Sequence, residues 1–382
     1  MRRRLAIDLF CGSGAVTAAL RARKFRVITG LDNDAVACRT FRMNHPEVNL
    51  IESDIRLTDP ATIIQRFPEA FGVDLLVLCA PCQPFSSQNR KRGVDNRAEL
   101  LLEAPRFVQA LQPGCVLIEN VPGLTTPSNV HIVDQLKAQL REVGYRLSEP
   151  RRIDAADLGV PQRRLRCVML ACRSESALRI FEQFEFPVIR KTVRDFIGDL
   201  PAVTAGRSLT KDALHRPRVH QQIALDRLRA IPKDGGSRSS LPTNLRLKCH
   251  TDDHSYSDVY GRMRWDDVAP TLTTGCDDVT RGRFAHPDQD RAITLREAAR
   301  LQTFPKKYRF AGNKSEIARQ IGNAVPVEMV KAIIPVIRQI LRSIEKERQA
   351  PPAVPTAEIV AQAEGQSIGA PTKSASLERA SF

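Results

Sequence analysis

The sequence has 382 residues, a formal net charge of +15 at pH 7 and a pI of about 9.7. Hydrophobic content of 42% with 26% charged residues is ordinary for a globular protein, and no apolar run is long enough for a membrane span or a signal peptide. The positive charge favours polyanionic partners, nucleic acid first among them. The nine cysteines are scattered, which predicts free thiols in a reducing compartment.

The first predicted unit is a buried strand, residues 5–10, followed by a glycine turn and an amphipathic helix. This geometry is typical of a nucleotide-cofactor loop, because glycines let the backbone approach a ligand at a helix N-terminus. Gly12 and Gly14 lack the third glycine of the full pattern, so the signal is weak by itself. A second strand, residues 25–31, ends in Asp32, which either binds a ribose hydroxyl pair or caps a helix.

A third strand is predicted to end at residues 53–55, and a fourth, residues 74–80, ends abruptly at Pro81-Cys82-Gln83-Pro84. The prolines forbid both a helix and a continued strand, so we expect Cys82 just beyond the carboxyl end of a central strand. In an open α/β sheet that edge binds ligands. The alternative for Cys82 is an inert, buried thiol. The basic stretch 86–97 is expected to be a lid over a bound polyanion or a solvated loop.

Two further strands bring charged side chains toward the same edge. Residues 115–121 predict a fifth strand that carries Glu119. A buried carboxylate is either paired or functional, with a pKa raised toward acid catalysis. Arg164 and Arg166 alternate onto one face beside the next strand, residues 167–172, and are expected to clamp an anion or a carbonyl.

The regular alternation of strands and helices stops between about residues 186 and 283, which predicts a small, irregular second domain. Residues 260–274 combine base-stacking and phosphate-binding types, or else form a packed hairpin. Residues 294–305 predict a helix with a capping box, and another helix follows Pro326. No metal site is predicted, because the spacing fits no common zinc pattern at Cys249, His250, His254 and Cys276.

Five motifs, taken together and in this order, closely resemble the DNA (cytosine-5)-methyltransferase family. They are Asp8-Leu9-Phe10-Cys11-Gly12-Ser13-Gly14, Pro81-Cys82-Gln83, Glu119-Asn120-Val121, Gln162-Arg163-Arg164-x-Arg166 and Gly322-Asn323-Ala324-Val325. The resemblance runs from Asp8 to about Arg342. It departs at Ala15, where many relatives have glycine, and at Cys79-Ala80, where they have Gly-Pro.

The resemblance implies an α/β fold with a Rossmann-like sheet that binds S-adenosylmethionine and a second, smaller, irregular target-recognition domain. The implied boundaries are a catalytic and cofactor-binding domain at 1–185, a target-recognition domain at 186–310, a returning helix at 311–345 and a disordered tail at 346–382.

The resemblance also implies roles for individual residues. Cys82 matches the nucleophile, Glu119 the acid that protonates cytosine N3, and Arg164 and Arg166 the residues that hold the cytosine and the catalytic loop. Asn120 is expected to fix Glu119 or the thiol loop. The implied cofactor contacts are Phe10, Gly12, Gly14, Asp32, Asp54, Ile55, Pro81, Leu100, Asn323 and Val325. The implied DNA contacts are Ser86, Arg97 and Gln162.

The function so implied is methylation of C5 of a flipped-out cytosine in double-stranded DNA, at a specific sequence, by a restriction–modification or orphan methylase. The expected setting is a monomer in the bacterial cytoplasm, at the nucleoid, with a restriction endonuclease as a candidate companion. Three alternatives are a tRNA cytosine-5 methyltransferase, a catalytically silent DNA-binding protein, and a dithiol oxidoreductase that uses Cys79 and Cys82.

Overall fold

In a computed structural model of the chain, residues 3–81, 96–203, 211–247 and 258–349 are described, without the side chains of residues 96–99. Within these ranges the chain folds around one twisted sheet with helices on both faces. None of the helices in this part of the chain has the length and hydrophobicity needed to cross a bilayer.

The sheet is mostly parallel. Its strands are β1 (Leu5–Leu9), β2 (Arg26–Asp32), β3 (Asn49–Glu52), β4 (Leu75–Leu78), β5 (Cys115–Asn120), β6 (Arg146–Leu147), β7 (Arg151–Asp154) and β8 (Leu165–Cys172). Their order is β3-β2-β1-β4-β5-β8-β6, with β7 pairing to β8; β1 to β5 are parallel, and β8 is antiparallel to its neighbours. The order reverses between β1 and β4, which opens a crevice at the carboxyl ends of the strands.

Helices cover both faces of this sheet and continue through the second half of the chain. They are α1 (Ala15–Ala22), α2 (Ala35–Asn44), α3 (Pro60–Arg66), α4 (Ala104–Leu111), α5 (Val130–Glu142), α6 (Glu175–Gln183), α7 (Val193–Ile197), α8 (Gln222–Ala230), α9 (Leu295–Leu301), α10 (Lys314–Asn323) and α11 (Val327–Gln349).

Two apolar cores result from the period-two alternation of the central strands. Leu76 and Leu78 face the core shared with α3, α4 and α5, whereas Leu75 and Val77 face the core shared with α1, α6 and α11. Strands buried on both faces read as continuous apolar runs, which is why the sequence shows them clearly.

Two local expectations need correction. β3 ends at Glu52, and residues 55–57 form a short 3-10 helix that Asp54 caps, because the Asp54 side chain accepts from the Arg56 backbone N–H. The last helix continues to Gln349, past the predicted boundary at 345; the rest of the predicted tail lies outside the described residues. The described residues up to Ile344 form one compact unit, and the internal boundaries at 185 and 310 stay predictions.

The predicted second domain has a small apolar core of its own, organised around a buried guanidinium. Arg262 is fully buried and donates to the carbonyls of Leu228, Ile231, His286 and Gln289 at 2.6–3.2 Å. A buried cation is tolerated where acceptors surround it. Tyr260 and Arg262 are buried, as in the packed alternative for residues 260–274, whereas Arg264 is exposed, so contact of this segment with nucleic acid stays a prediction. The predicted capping box at α9 is confirmed.

The central strand β1 also carries a buried carboxyl group. Asp8 is fully buried, and its Oδ2 accepts a hydrogen bond from Thr17 Oγ1 at 2.7 Å. Its Oδ1 accepts none within the described part of the chain. Burial raises the pKa of Asp8 to about 7, which the Thr17 hydrogen bond partly opposes.

We expect Asp8→Asn to stabilise the protein more at high pH than at low pH. The unfolded wild-type chain releases the Asp8 proton near its ordinary pKa of 3.8, whereas the folded chain keeps it up to about 7, so stability is lost as pH rises through this window. Between about pH 5 and about pH 8 the advantage of the neutral variant should grow by roughly 1–3 kcal/mol in urea unfolding. Asp134→Asn, on the exposed face of α5, is the control; an equal advantage of Asp8→Asn at both pH values contradicts the prediction.

Candidate cofactor and active site

A cavity of about 360 Å³ lies at the carboxyl edge of the parallel strands. Small-molecule sites commonly have volumes of about 300–1,000 Å³. Most of the residues predicted to contact a cofactor line it: Phe10, Gly12, Asp32, Asp54, Ile55, Pro81, Leu100, Asn323 and Val325. Gly14, the remaining predicted contact, lies at the N-cap of α1 and is not among the lining residues.

The glycine turn after β1 has an unusual backbone. Phe10, Gly12 and Gly14 have φ angles of 59°, 50° and 90°, in the left-handed region that favours glycine. A Cβ atom at Gly14 would lie 2.6 Å from the His45 ring. The turn therefore needs glycine at this position for both conformation and space.

Asp32 connects this turn to the end of β2. Its Oδ2 accepts from Gly12 N at 2.8 Å, and its Oδ1 accepts from Asp34 N at 2.9 Å. Burial raises the pKa of Asp32, and these backbone hydrogen bonds oppose the rise. The helix cap of α2 is Asp34, whose Oδ1 accepts from Val36 N and Ala37 N, so the capping alternative for Asp32 is wrong.

Asp54 stands at another part of the cavity wall. Both of its carboxylate oxygens accept hydrogen bonds from the Arg56 guanidinium, at 3.0 and 2.6 Å, and these lower the pKa of Asp54. Asp54 is therefore charged.

An ion pair between β5 and β8 faces the same cavity. Arg166 Nε lies 2.9 Å from Glu119 Oε1, and each side chain is 9% exposed. Burial raises the pKa of Glu119, while Arg166 and then Arg164 lower it. Desolvation thus favours a protonated carboxyl beside the cavity, and the arginines favour the charged form.

Asn120 links the end of β5 to the turn after β4. Its Nδ2 donates to Ala80 O at 3.3 Å, and its Oδ1 accepts from Val121 N at 2.9 Å. Pro81, which directly precedes Cys82 in the chain, lines the cavity. Cys82 and Ser86 lie outside the described residues, as does the side chain of Arg97.

Gln162 and Arg164 make hydrogen bonds within the protein that the sequence did not predict. Gln162 is fully buried, with its Nε2 donating to Gln302 Oε1 and its Oε1 accepting from Leu272 N, both at 2.9 Å. The Arg164 guanidinium donates to backbone carbonyls of Leu272, Gly322 and Ala324 at 2.8–3.1 Å. Both side chains thus connect the segment before β8 with Leu272, and Arg164 also reaches the end of α10; their predicted contacts with DNA and with the cytosine stay predictions.

Close packing of α10 completes the cavity. A Cβ atom at Gly322 would lie 2.5 Å from the Thr273 carbonyl carbon, so glycine lets α10 approach the segment after residue 270. Asn323 and Val325 then line the cavity beside residues of the sheet.

Sequence reasoning missed an ion pair at the cavity wall. Arg319 Nη2 lies 3.0 Å from Asp34 Oδ2, and both residues line the cavity. Asp34 has a capping signal after β2, but no sequence signal pairs it with Arg319.

Among the residues that the structure describes, no group of His, Cys, Asp and Glu is placed to hold a metal ion; Cys249, His250 and His254 lie outside them.

Comparisons with known proteins agree with this architecture. A family model described as C-5 cytosine-specific DNA methylase matches residues 5–339. The chain is 37% identical over 350 residues to type II methylase M.HgiDII of Herpetosiphon aurantiacus, covering 90% of this chain and 97% of that protein. It is 30% identical to type II methyltransferase M.Eco47II of Escherichia coli, covering 89% and 80% of the two chains.

Solved structures support the same fold. A prophage-encoded DNA modification methyltransferase candidate of E. coli superposes with a TM-score of 0.68 at 23% identity, covering 89% of this chain and 99% of that one. The Dnmt2 methyltransferase of S. pombe superposes with a TM-score of 0.59 at 17% identity, covering 89% and 100%. At these identities the likeness concerns the fold alone, but the family model spans nearly the whole chain. The chain therefore belongs to the C-5 cytosine-specific DNA methylase family and is a DNA cytosine-5 methyltransferase.

Proposed function

We propose that this methyltransferase modifies a cytosine within a specific sequence of double-stranded DNA, with S-adenosylmethionine as methyl donor and Cys82 as nucleophile. One observation carries the proposal: a single cavity is lined by the glycine turn, by Pro81 next to Cys82, and by the Glu119–Arg166 ion pair. The candidate donor site and the candidate acid therefore line the same cavity as Pro81, the residue that precedes Cys82 in the chain.

The cavity suits a nucleoside sulfonium. Its wall combines apolar side chains, among them Ile55, Leu100 and Val325, with the polar groups of Asp32 and Asn323. Flat apolar surfaces suit an adenine ring, and a carboxylate suits ribose hydroxyls. When bound, S-adenosylmethionine supplies an electrophilic methyl group.

The reaction needs a nucleophile because cytosine C5 is unreactive within an aromatic ring. Addition of the Cys82 thiolate to C6 forms an S–C6 bond and pushes the C5–C6 π electrons toward N3, so that C5 becomes enamine-like. The bound donor would supply the methyl group to C5 and leave as S-adenosylhomocysteine when its sulfur–methyl bond breaks. A base then removes the C5 proton, the C5–C6 double bond re-forms, and Cys82 leaves as thiolate. A free thiol has a pKa of about 8.5, so a polar or positive setting must favour the thiolate.

Glu119 supplies the proton that this addition requires. Transfer of its carboxyl proton to cytosine N3 neutralises the negative charge that the thiolate brings into the ring. Burial raises the pKa of Glu119 and so favours a protonated donor, while Arg166 at 2.9 Å orients the carboxyl and stabilises it after the proton has left.

The target base must leave the duplex, since its C5 and C6 atoms lie within the base stack. The net charge of +15 favours the DNA backbone, and the irregular region after residue 186 is the candidate for reading base edges in the major groove.

The type II naming of the relatives supports a role in restriction–modification, in the bacterial cytoplasm at nucleoid DNA, with or without a companion endonuclease.

Bisulfite sequencing of DNA from cells that express the protein tests sequence specificity directly. Conversion-resistant cytosines confined to one short motif support the proposal. Methylation spread over unrelated sequences, or found in tRNA and not in DNA, contradicts it.

Cys82→Ser is expected to abolish methyl transfer while DNA binding persists, because a hydroxyl is a far weaker nucleophile than a thiolate. A duplex with 5-fluorocytosine at the target should trap wild-type protein covalently, since fluorine blocks the final elimination. The readout is a denaturing gel with methyl donor present.

Cys115→Ala is the matched control for this trap. Cys115 is buried at the amino end of β5, away from Glu119, so its loss should lower stability without preventing the adduct. Turnover by Cys82→Ser, or an adduct that depends on Cys115, removes Cys82 from its proposed role.

Glu119→Gln is expected to lower the methylation rate by about 10²–10⁴-fold, because the amide keeps the size of the side chain but cannot protonate N3. Single-turnover kinetics measure this, and affinity for the methyl donor serves as the internal control. A rate within a few fold of wild type would assign the proton to another donor.

A further inference from the structure

A buried histidine and a buried tyrosine lie on the protein side of the glycine turn. Tyr308, in the segment between α9 and α10, is 3% exposed, and its Oη donates to Ser13 O at 2.7 Å. His45 follows α2, and its Nε2 lies 3.0 Å from Gly14 O and 2.9 Å from Tyr308 Oη. The carbonyls of Ser13 and Gly14, two successive residues of the turn, therefore each have a side-chain hydrogen-bond partner. The sequence predicts no role for Tyr308 or His45.

The hydrogen bonds assign the protonation state of His45. Arg21 Nη1 lies 2.9 Å from His45 Nδ1, and a guanidinium is only a donor, so Nδ1 accepts. Burial lowers the pKa of His45 to about 4, which keeps the ring neutral near pH 7. A neutral ring with Nδ1 as acceptor carries its proton on Nε2, where it is donated toward Gly14 O and Tyr308 Oη.

These contacts orient the side of the turn that faces the cavity. In a planar trans peptide the C=O and the following N–H point in opposite directions. Gly14 O also accepts the first helical hydrogen bond of α1, from Ala18 N at 2.9 Å, so His45 and the helix together hold this peptide with Ala15 N–H directed away from the ring; Ala15 lines the cavity. As the first residue of α1, Ala15 has no intrahelical acceptor for its N–H.

The segment that carries Tyr308 is itself firmly attached to α2. Asn44 Nδ2 donates to Arg309 O at 2.8 Å, Asn44 Oδ1 accepts from Arg309 N at 3.0 Å, and Thr40 Oγ1 accepts from Ala311 N at 2.9 Å. From the other side, Arg296 Nη1 donates to Tyr308 O at 3.0 Å. The Tyr308 hydroxyl is thus presented from a rigid base and not from a loosely held loop.

We propose that Tyr308 and His45 are positioning residues for the methyl donor: they hold the Ser13 and Gly14 carbonyls so that the opposite face of the glycine turn keeps the shape that the donor binds. The inference rests on the proposed function, since it requires S-adenosylmethionine at this turn. Neither side chain is among the residues that line the cavity, so both act through the backbone.

Tyr308→Phe is the sharpest test. It removes one hydroxyl and keeps the ring, which packs against Phe304 and Phe310 with centroids 4.8 and 5.4 Å away. Leaving Ser13 O without this donor should weaken binding of S-adenosylmethionine and S-adenosylhomocysteine roughly five- to thirtyfold in calorimetry. The KM for the methyl donor should rise equally, with kcat and DNA affinity changing less than about twofold because the reacting groups are untouched.

Tyr145→Phe is the matched control. Tyr145 is also buried, and its hydroxyl donates to Pro113 O at 2.6 Å, just before the amino end of β5. Both variants should lower the urea midpoint, but Tyr145→Phe should leave donor affinity unchanged. His45→Gln, whose amide N–H can reach Gly14 O, should bind the donor better than His45→Leu.

The outcomes separate this inference from the function on which it rests. If the wild type binds the donor and Tyr308→Phe binds it within twofold of the wild type, the positioning role is overturned and the proposed function is untouched. If both tyrosine variants weaken donor binding equally, the effect is general loss of stability, which also overturns the inference. Failure of the wild type itself to bind S-adenosylmethionine would overturn the proposed cofactor, and the positioning role with it.

Discussion

The cavity depends on one buried guanidinium. Arg164, directly before β8, donates to carbonyls that belong to two segments far apart in sequence, one at Leu272 and one at Gly322 and Ala324. A buried cation without acceptors costs several kcal/mol, so these carbonyls must remain close to it. The cluster keeps the end of α10 against the sheet, and Asn323 and Val325 consequently complete the cavity wall.

The chemistry then depends on how burial distributes charge along the same edge of the sheet. Asp54 lies beside Arg56 and is charged, whereas burial favours protonation of Glu119 and of Asp8. Three carboxyl groups of similar intrinsic acidity thus differ because their surroundings differ. Arg166 limits this effect at Glu119, so the carboxyl can release a proton as well as hold one.

Side chains that do not touch the cavity determine its shape. Asn120 donates a hydrogen bond to Ala80 O, two residues before Cys82. Tyr308 and His45 hold the glycine turn through the carbonyls of Ser13 and Gly14. Arg262 organises the small apolar core of the second region through four backbone carbonyls. Each is a polar group whose burial is compensated by backbone partners, which adds rigidity to the frame that the apolar cores provide.

The sequence by itself determined the central strands, the edge at which they end and the order of the motifs there. Buried parallel strands are continuous apolar runs, and proline and glycine mark their ends, so Pro81, Glu119 and the Gly12 turn could be assigned to one edge without coordinates. The capping box at Thr294 is an equally local signal. Tertiary structure alone decided that Gln162 is buried, that Arg164 binds carbonyls, and that His45 meets Tyr308 across 263 residues. The physical reason is that a backbone carbonyl looks the same at every position in a sequence, and only packing shows which carbonyls a buried side chain must satisfy.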